Sequence, residues 1–499
     1  MKAPDAPASG LQLSLLALIT GLAAVVRFHA LADKSFWFDE GVGVAIARLD
    51  WYNFARILWR REANMSLYYL FLRGWLRLSG SEFFIRSLSV VFAVISVPVI
   101  FLLGRKLFDA RTGLIAAALL AVNAYYVQYS QEARSYPLMV LLCMISSLYF
   151  LKSLENPSRQ HRALYILSSV LAVYAHFYSV LVIGAQWASL RFLDRGRVPG
   201  ETKNDWRWIA LGIAPVGAFV VTTGAGPLRW VERPGWRELW KFAIEFTGNG
   251  GPILLLACVA GVVAALIPAW RTWRVRRVPW EDWKYRFLAL WLFFPALLVL
   301  VLSLVKPLFV LRYFLASLPA LLLLVACGVA RLRRPVLIAP AALCLIFLCG
   351  RGTVRGYRED IDIERDDWRF ATRYLLEHAQ AGDALLFHVP MGRMPYEFYR
   401  SLSTAGSSPM VLYPHHADHI TFLDFVEKPD DEQLKKLLPQ HPRVWLVLNH
   451  AQGANGSPDA RSQELTQMLE ILYPHTELEG FLGVEILLYS QGRDAITNP

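Results

Sequence analysis

The chain has 499 residues, of which 55% are hydrophobic and 18% are charged, and its formal net charge is +11. Soluble domains are about 45–50% apolar; here the excess is concentrated in discrete runs, which excludes a soluble globular protein. The positive charge does not indicate a nucleic-acid partner, because arginines and lysines cluster in short segments between the apolar runs. That distribution is typical of the positive-inside pattern of membrane proteins.

Eleven apolar runs predict membrane-spanning helices, although several are shorter than the roughly 20 residues that a span requires. The first run is preceded by Lys2 alone and followed by ten others, so we interpret it as a retained span and not as a cleaved signal peptide. The predicted spans lie near residues 11–26, 85–103, 114–127, 137–151, 163–175, 178–190, 209–223, 252–270, 287–305, 313–330 and 336–350.

The charge of the short loops predicts their sidedness. A cytoplasmic N-terminus places the cation-rich loops inside, as the positive-inside rule requires; they are residues 105–111, 152–162, 191–207, 271–286 and 331–334. We therefore expect a multi-pass protein of the cell inner (cytoplasmic) membrane, with loop 27–84 outside. That loop holds eight cations between Arg27 and Arg77. Cations there suit a site that handles phosphate, and its helical spacing predicts helices along the membrane surface.

The composition changes after Gly350. Residues 351–499 contain no run long enough to span, and short β-like runs alternate with helical patterns. The β-like runs are Ala384–His388, Met410–Tyr413, Val444–Leu448 and Gly483–Tyr489. This pattern predicts a soluble α/β domain, which follows an odd number of spans and therefore lies on the same side as Asp39. The predicted organisation is a polytopic α-helical domain over 1–350, with external loop 27–84, and an external (periplasmic) domain over 351–499.

An acid pair, Asp39 and Glu40, follows an aromatic triplet at the predicted outer end of the first span. A carboxylate close to a bilayer is costly, and such a group marks a candidate functional site. The alternative interpretation is structural: Asp39 would be the N-cap of a helix that starts near Gly41.

Three further polar patches fall on the same predicted side. Each has an ordinary explanation as a neutralised interfacial turn, a helix cap or an aromatic anchor. Their location on one side, beside an acid pair, favours a functional site. The patches are residues 62–69, 129–137 and 174–178, and Arg312 adds a cation at a later outer boundary.

Together these motifs resemble the GT-C superfamily of polyprenyl-phosphate-sugar glycosyltransferases. Within it, the chain is similar to bacterial relatives of dolichyl-phosphate-mannose protein mannosyltransferases and aminoarabinose transferases, over residues 10–330. The relatives carry His or Lys and then prolines where this chain has Asn64, Met65 and Ser66. The matching motifs are Asp-Glu at 39–40, Glu-x-Asn-x-x-Leu-Tyr-Tyr at 62–69, Ser-Glu-x-x-x-Arg at 81–86, Tyr-Ser-Gln-Glu-Ala-Arg-x-Tyr at 129–136 and Tyr-x-His-Phe at 174–177.

The resemblance implies an inverting transfer of a sugar from a polyprenyl-phosphate donor to a lipid, glycan or protein acceptor at the outer face. The transition state would be oxocarbenium-like. Asp39 would take the acceptor proton, with Glu40 as the second catalytic carboxylate. The cations that would stabilise the departing phosphate are Arg86, Arg134 and Arg312. The other implied substrate-binding residues are Glu62, Asn64, Tyr68, Glu132, Tyr136 and His176.

No cofactor is expected with certainty, and a divalent cation is left open. The segment His415-His416-Ala417-Asp418-His419 has metal-ligand spacing, but we interpret it as an exposed histidine-rich turn and predict no metal ligands. The rival functional class is a transporter or flippase of lipid-linked sugars, which would carry paired polar groups at mid-membrane. The nearly uncharged centres of the apolar runs favour the enzyme over that class. A degenerate homologue that acts as a scaffold is a third alternative.

Overall fold

The computed structural model describes residues 8–224, 231, 233–272, 274–358, 366–403, 408–414, 419–426, 431–449, 451 and 459–492. The chain forms two compact units that are each discontinuous in sequence. The first, here called the helical unit, comprises Met1–Leu31 and Leu58–Asp360. The second, the mixed unit, comprises Ala32–Ile57 and Ile361–Pro499.

Most of the described chain is helical. The first sixteen α-helices are α1 Gly10–Phe28, α2 Phe38–Arg48, α3 Trp51–Arg60, α4 Ser66–Trp75, α5 Glu82–Leu107, α6 Ala110–Val122, α7 Ala124–Ser130, α8 Tyr136–Glu155, α9 Arg159–Ala175, α10 Ser179–Ser189, α11 Thr202–Thr223, α12 Trp236–Thr247, α13 Gly251–Arg271, α14 Trp280–Ser303, α15 Leu318–Ala330 and α16 Ile338–Arg358. A 3₁₀ helix, Leu311–Ser317, precedes α15.

The predicted multi-pass helical class is confirmed. Seven described helices are long and apolar enough to cross a membrane, or nine if the bent pairs α6–α7 and α12–α13 each count as one span. This is fewer than the eleven spans predicted from hydropathy. All eleven runs are helical, but 163–175 and 178–190 fall on α9 and α10, which have only 17 and 11 residues. The first turn of α9 is polar, which leaves it too little apolar length.

Arg27, one of the eight cations of loop 27–84, has a structural role. Its guanidinium is fully buried and donates to the carbonyls of Leu120 (3.0 Å) and Ala121 (2.8 Å), at the C-terminal end of α6. It also lies over the ring of Tyr126, at 5.1 Å from the centroid. The last carbonyls of a helix lack partners within the helix and carry partial negative charge. Arg27 therefore stabilises the 58° break between α6 and α7.

The mixed unit contains a five-stranded sheet, which confirms the predicted C-terminal α/β region. The strands are β1 Ala384–His388, β2 Met410–Tyr413, β3 Arg443–Asn449, β4 His475–Phe481 and β5 Val484–Ser490. The strand order is β2-β1-β3-β5-β4, with β1 parallel to β2 and β3, and β5 antiparallel to β3 and β4. Four strands match predicted runs. The fifth, β4, is an exposed edge strand whose sequence, His-Thr-Glu-Leu-Glu-Gly-Phe, lacks a hydrophobic signal. The remaining α-helices are α17 Trp368–His378, α18 Arg393–Arg400, α19 Leu423–Val426, α20 Asp431–Leu437 and α21 Ala460–Leu472.

Residues 32–57 belong to the mixed unit, whereas the sequence grouped them with the membrane domain. Three contacts explain the difference. The ring of Phe36 lies 4.7 Å from that of Phe398, and its backbone N–H donates to the hydroxyl of Tyr399 at 2.6 Å. Arg369 donates to the carbonyl of Ala32 at 2.8 Å. The segment is thus held by residues more than 300 positions later, which local sequence cannot indicate. The last helix of the helical unit also continues past residue 350, to Arg358.

Candidate active site

The acid pair lies in the first turn of α2. The helix begins at Phe38, and its N-cap is Trp37, so the alternative with Asp39 as N-cap is wrong. Glu40 supplies the capping contact instead: its carboxylate accepts the Trp37 N–H at 3.3 Å, and the side chain is fully buried. Asp39 is half-buried. Both carboxylates are favoured there by the helix dipole.

The position of α2 is fixed by the mixed unit. The backbone N–H of Phe38 donates to Asp366 at 3.3 Å, and the indole N–H of Trp368 donates to the same carboxylate oxygen at 3.3 Å. Gly41 faces α18, where a Cβ atom would lie 2.8 Å from Pro395. The first turn of α2 is therefore held on both sides of Asp39.

In the helical unit, Asn64 joins two of the motifs. Its Oδ1 accepts the N–H of Phe177 at 2.9 Å, and its Nδ2 lies 3.4 Å from Nε2 of His176. The amide therefore connects the segment before α4 to the turn between α9 and α10. The relatives' His or Lys at this position is replaced by a residue that orients His176.

His176 is buried and electrically neutral at physiological pH. Burial, and then the positive charges of Arg134 and Arg312, lower the pKa of His176 to about 3. Its Nδ1 also faces the N–H of Tyr178 at 3.3 Å. Protonation would turn both ring nitrogens into donors that face other donors, which opposes the charged form as well.

Aromatic rings link this histidine to the other motifs. The ring of Tyr313 lies 4.5 Å from that of His176, and the ring of Tyr136 lies 6.0 Å from it. The structure thus brings together a group of predicted site residues and one neighbour, here called the histidine cluster: Asn64, Arg134, Tyr136, His176, Arg312 and Tyr313.

Two residues that the sequence did not single out belong beside this cluster. Tyr125, on α7, interacts electrostatically with Glu245, on α12, and also with Arg312, Tyr136 and Glu132. Its hydroxyl is buried and has no hydrogen-bond partner among the described residues. Two features of the sequence could have indicated these residues: a Tyr-Tyr pair just before the 129–136 motif, and an acid within the amphipathic helix α12.

The other predicted binding residues have individual contacts. The hydroxyls of Tyr68 and Ser89 lie 2.9 Å apart, and Ser89 donates to the carbonyl of Arg134 at 2.9 Å. Arg86 is buried and donates to the carbonyl of Leu31 at 3.0 Å. Glu62 is half-buried in the segment before α4. Tyr68 thus supports the backbone of the cluster.

The histidine-rich segment lies largely outside the described residues, which include only its last member, His419. Among the described residues, no group of three or more His, Cys, Asp and Glu side chains is arranged to hold a metal ion.

Comparison with known proteins supports this architecture. Residues 66–219 match the family model of dolichyl-phosphate-mannose-protein mannosyltransferase, and no curated protein sequence matches the chain. The crystal structure of ArnT from Cupriavidus metallidurans in the apo state is similar, with a TM-score of 0.62 and 12% identity, over 97% of this chain and 99% of that chain. The same protein bound to undecaprenyl phosphate has a TM-score of 0.63, at the same identity and coverage.

A third structure extends the likeness. The apo oligosaccharyltransferase of Archaeoglobus fulgidus has a TM-score of 0.50 and 12% identity, over 88% of this chain and 69% of that chain. The predicted resemblance to the GT-C superfamily is confirmed: the fold is that of GT-C glycosyltransferases. The fold and the family match together support a transferase.

Proposed function

We propose that this protein is an inverting glycosyltransferase that takes a sugar from a polyprenyl monophosphate and passes it to an acceptor hydroxyl at the outer face of the cytoplasmic membrane. The observation that carries the proposal is the histidine cluster, where Arg134 and Arg312 act on a buried, neutral His176. Because the imidazole is neutral, Arg134 and Arg312 are the cations that this cluster can offer to a ligand. Such a site suits the anion that departs from a polyprenyl-phosphate sugar.

The cluster would act on the leaving group. As the glycosidic bond breaks, negative charge grows on the phosphate, and fixed cations stabilise that charge most strongly where water is excluded. Arg134 is 7% exposed and His176 is not exposed at all. The buried hydroxyl of Tyr125, which interacts electrostatically with Arg312, is a further donor beside the cluster. This assignment also explains how Asn64 can replace a cation, since Arg134 and Arg312 provide the positive charge.

Asp39 would be the general base. The acceptor hydroxyl loses its proton as it attacks the anomeric carbon, and a carboxylate within hydrogen-bond reach accepts that proton. Of the two acids, Glu40 is occupied as the cap of α2, so its role would be to hold the helix start. Asp39 is partly exposed in the same turn, as a residue that meets an acceptor must be.

The decisive experiment offers two donor classes to the purified full-length protein in nanodiscs. Undecaprenyl-phosphate sugars and nucleotide sugars are supplied side by side with lipid and peptide acceptors, and the products are identified by mass spectrometry. We expect transfer from the lipid-linked sugars, and weaker donor binding in Arg134→Ala by about 1.5–3 kcal/mol. The exposed Arg195→Ala is the matched control. Transfer from nucleotide sugars alone would overturn the proposal, and lipid-linked sugar moved across the bilayer without transfer would establish the flippase instead.

A further inference from the structure

The mixed unit contains a cavity of ≈ 370 Å³ that includes none of the predicted site residues. It lies between α2, α18 and the segment 419–421. Small-molecule sites usually occupy about 300–1,000 Å³, so this volume suits a small ligand. The cavity is lined by Gly41, Val44, Ala45, Arg48, Leu49, Asp50, Asn53, Met394, Glu397, Phe398, Arg400, His419, Ile420 and Thr421.

One wall of the cavity is apolar and carries an aromatic ring. Val44, Ala45 and Met394 are buried, and Phe398 is 2% exposed. The guanidinium of Arg48 lies over the Phe398 ring, 5.3 Å from its centroid. Arg48 is exposed, so its guanidinium N–H groups can reach a ligand in the cavity.

The polar rim is held in place by its own contacts. Asp50 accepts the backbone N–H of Asn53 at 3.0 Å and its side-chain amide at 2.6 Å. Glu397 lies between two arginines, 3.2 Å from Arg393 and 2.7 Å from Arg400. The carboxylate therefore balances Arg400, and the rim as a whole offers both donors and acceptors in fixed positions.

A buried ion pair fixes the third side. Arg393 lies 2.8 Å from Asp424, and both side chains are fully buried. The second oxygen of Asp424 accepts the N–H of Thr421 at 2.7 Å. The segment that carries Thr421 is therefore tied to α18 through Asp424.

We propose that this cavity binds one or two rings of a carbohydrate, and that the carbohydrate is part of the acceptor. A sugar ring presents an apolar face of C–H groups and a rim of hydroxyls, which matches an apolar wall beside fixed, mixed donors and acceptors. The balanced charge of the rim fits a simple anion poorly. An extended peptide would use a sheet edge or a long groove, and this cavity is neither. Only the assignment of this carbohydrate to the acceptor rests on the proposed function; the carbohydrate site itself is inferred from the cavity.

The cavity is lined in part by α2, the helix that carries the acid pair. Val44 and Arg48 are four residues apart and lie on the same face of α2, and Asp39 precedes Val44 by about 7.5 Å along the helix axis. A sugar bound here would therefore contact the helix that carries the proposed base. This arrangement predicts that the cavity affects acceptor use without affecting donor binding.

The test measures binding directly, with the full-length protein in nanodiscs, since maltoside detergents would compete. Saturation-transfer NMR is performed with the methyl glycosides of a neutral hexose, an N-acetylhexosamine and a hexuronic acid. We expect at least one to bind saturably, with a Kd on the order of millimolar. Arg48→Ala and His419→Ala, both at exposed positions, should each weaken that binding by about tenfold. The control is Arg373→Ala, whose guanidinium lies over Phe370 in the same way, at 5.1 Å, outside the cavity.

Three outcomes would overturn the carbohydrate site: no glycoside of the panel binds saturably, the two cavity variants bind as the wild type does, or inorganic phosphate displaces the sugar. Donor binding is measured separately with undecaprenyl phosphate, which should bind Arg48→Ala and the wild type equally. If no donor supports transfer but the glycoside binds and the variants weaken it, the proposed function fails and the carbohydrate site stands.

Discussion

A Cβ atom at position 41 would lie 2.8 Å from the Cα of Pro395, so Gly41 marks the point where α2 packs directly against the backbone of α18. The acid pair therefore directly precedes a position where a side chain would clash with the backbone of α18. Within the mixed unit, α18 therefore helps to hold the helix that carries Asp39.

Gly41→Ala should displace α2, because the added methyl group meets backbone and not a flexible side chain. Overpacking of this kind costs about 1–3 kcal/mol, and the shift of Asp39 should lower the transfer rate. Thermal unfolding and turnover of the purified variant measure the two effects. Gly74→Ala is the control, since a Cβ there meets nothing within 4 Å; a Gly41→Ala protein as active as this control would contradict the proposed contact.

Asp39→Asn should fold and insert normally but lose most transfer activity, because an amide cannot take the acceptor proton. General-base catalysis contributes about 10²–10⁴-fold, and a loss in that range is expected in kcat with donor binding unchanged. Glu40→Gln, which removes charge from the cap of α2, should lower stability more than it lowers the rate. Near-normal turnover of Asp39→Asn would remove Asp39 from the mechanism.

Tyr125→Phe tests whether the Tyr125 hydroxyl contacts the donor or has a structural role. The Tyr125 hydroxyl has no hydrogen-bond partner among the described residues, so its removal should leave stability almost unchanged. Donor binding should weaken by about 0.5–1.5 kcal/mol if the hydroxyl contacts the donor. Tyr126→Phe is the matched control: its hydroxyl donates to Ser96 at 3.0 Å, and this variant should lose stability and keep donor binding. The opposite pattern would exclude Tyr125 from the site.

The stability of the protein should decrease as the pH falls from about 6.5 toward about 3. The pKa of His176 is lowered from its ordinary value of 6.5 to about 3 by burial and by the two arginines. Between those values the unfolded chain binds a proton that the folded chain does not, so protonation favours unfolding. Above 6.5 this contribution is fully present and constant. Thermal unfolding at pH 7.5 and pH 5 should show the decrease, and His176→Gln should show a smaller one than the wild type.

Asn64→Asp tests how Asn64 controls the ring. The substitution keeps an acceptor for the N–H of Phe177 and places a carboxylate oxygen near Nε2 of His176, where the amide nitrogen lies at 3.4 Å. A nearby negative charge favours the imidazolium, so the pKa of His176 should rise. NMR titration of the histidine ring measures that shift directly. The pH profile of donor binding should acquire a new inflection in the variant, and an unchanged profile would show that the ring does not contribute to binding.

The local pattern of the sequence was sufficient for the helices and most strands. Runs such as 85–103 and 137–151 are helical because their apolar length leaves the backbone no other way to satisfy its polar groups in a membrane. Strands β1 and β3 were recognisable because both faces are buried and the runs are continuously apolar. The edge strand β4 was not predicted because its side chains are exposed and its sequence lacks a hydrophobic run. The run at 163–175 was predicted as a span, but the first turn of α9 is polar and the helix has too little apolar length.

The site could be predicted only in part. The motifs identified Asn64, Arg134 and His176, and the resemblance assigned them to substrate binding. Nothing local indicated that the Asn64 amide would orient His176, because the two residues are 112 positions apart. Tyr125 and Glu245 were missed for the same reason: their significance depends on which helices pack together.

By itself, the sequence predicted a multi-pass helical protein with a C-terminal α/β region, and its motifs, the acid pair included, resembled those of GT-C glycosyltransferases. Hydropathy, charge and motif spacing are properties of neighbouring residues, so they survive without a structure. Only the tertiary structure showed that Ala32–Ile57 belongs to the mixed unit. Only the tertiary structure showed that Arg27 donates hydrogen bonds to the last carbonyls of α6. It also formed the cavity that contains Arg48 and Phe398. Each of these depends on side-chain packing between segments far apart in the chain, where close contact and desolvation, not sequence proximity, set the free energy.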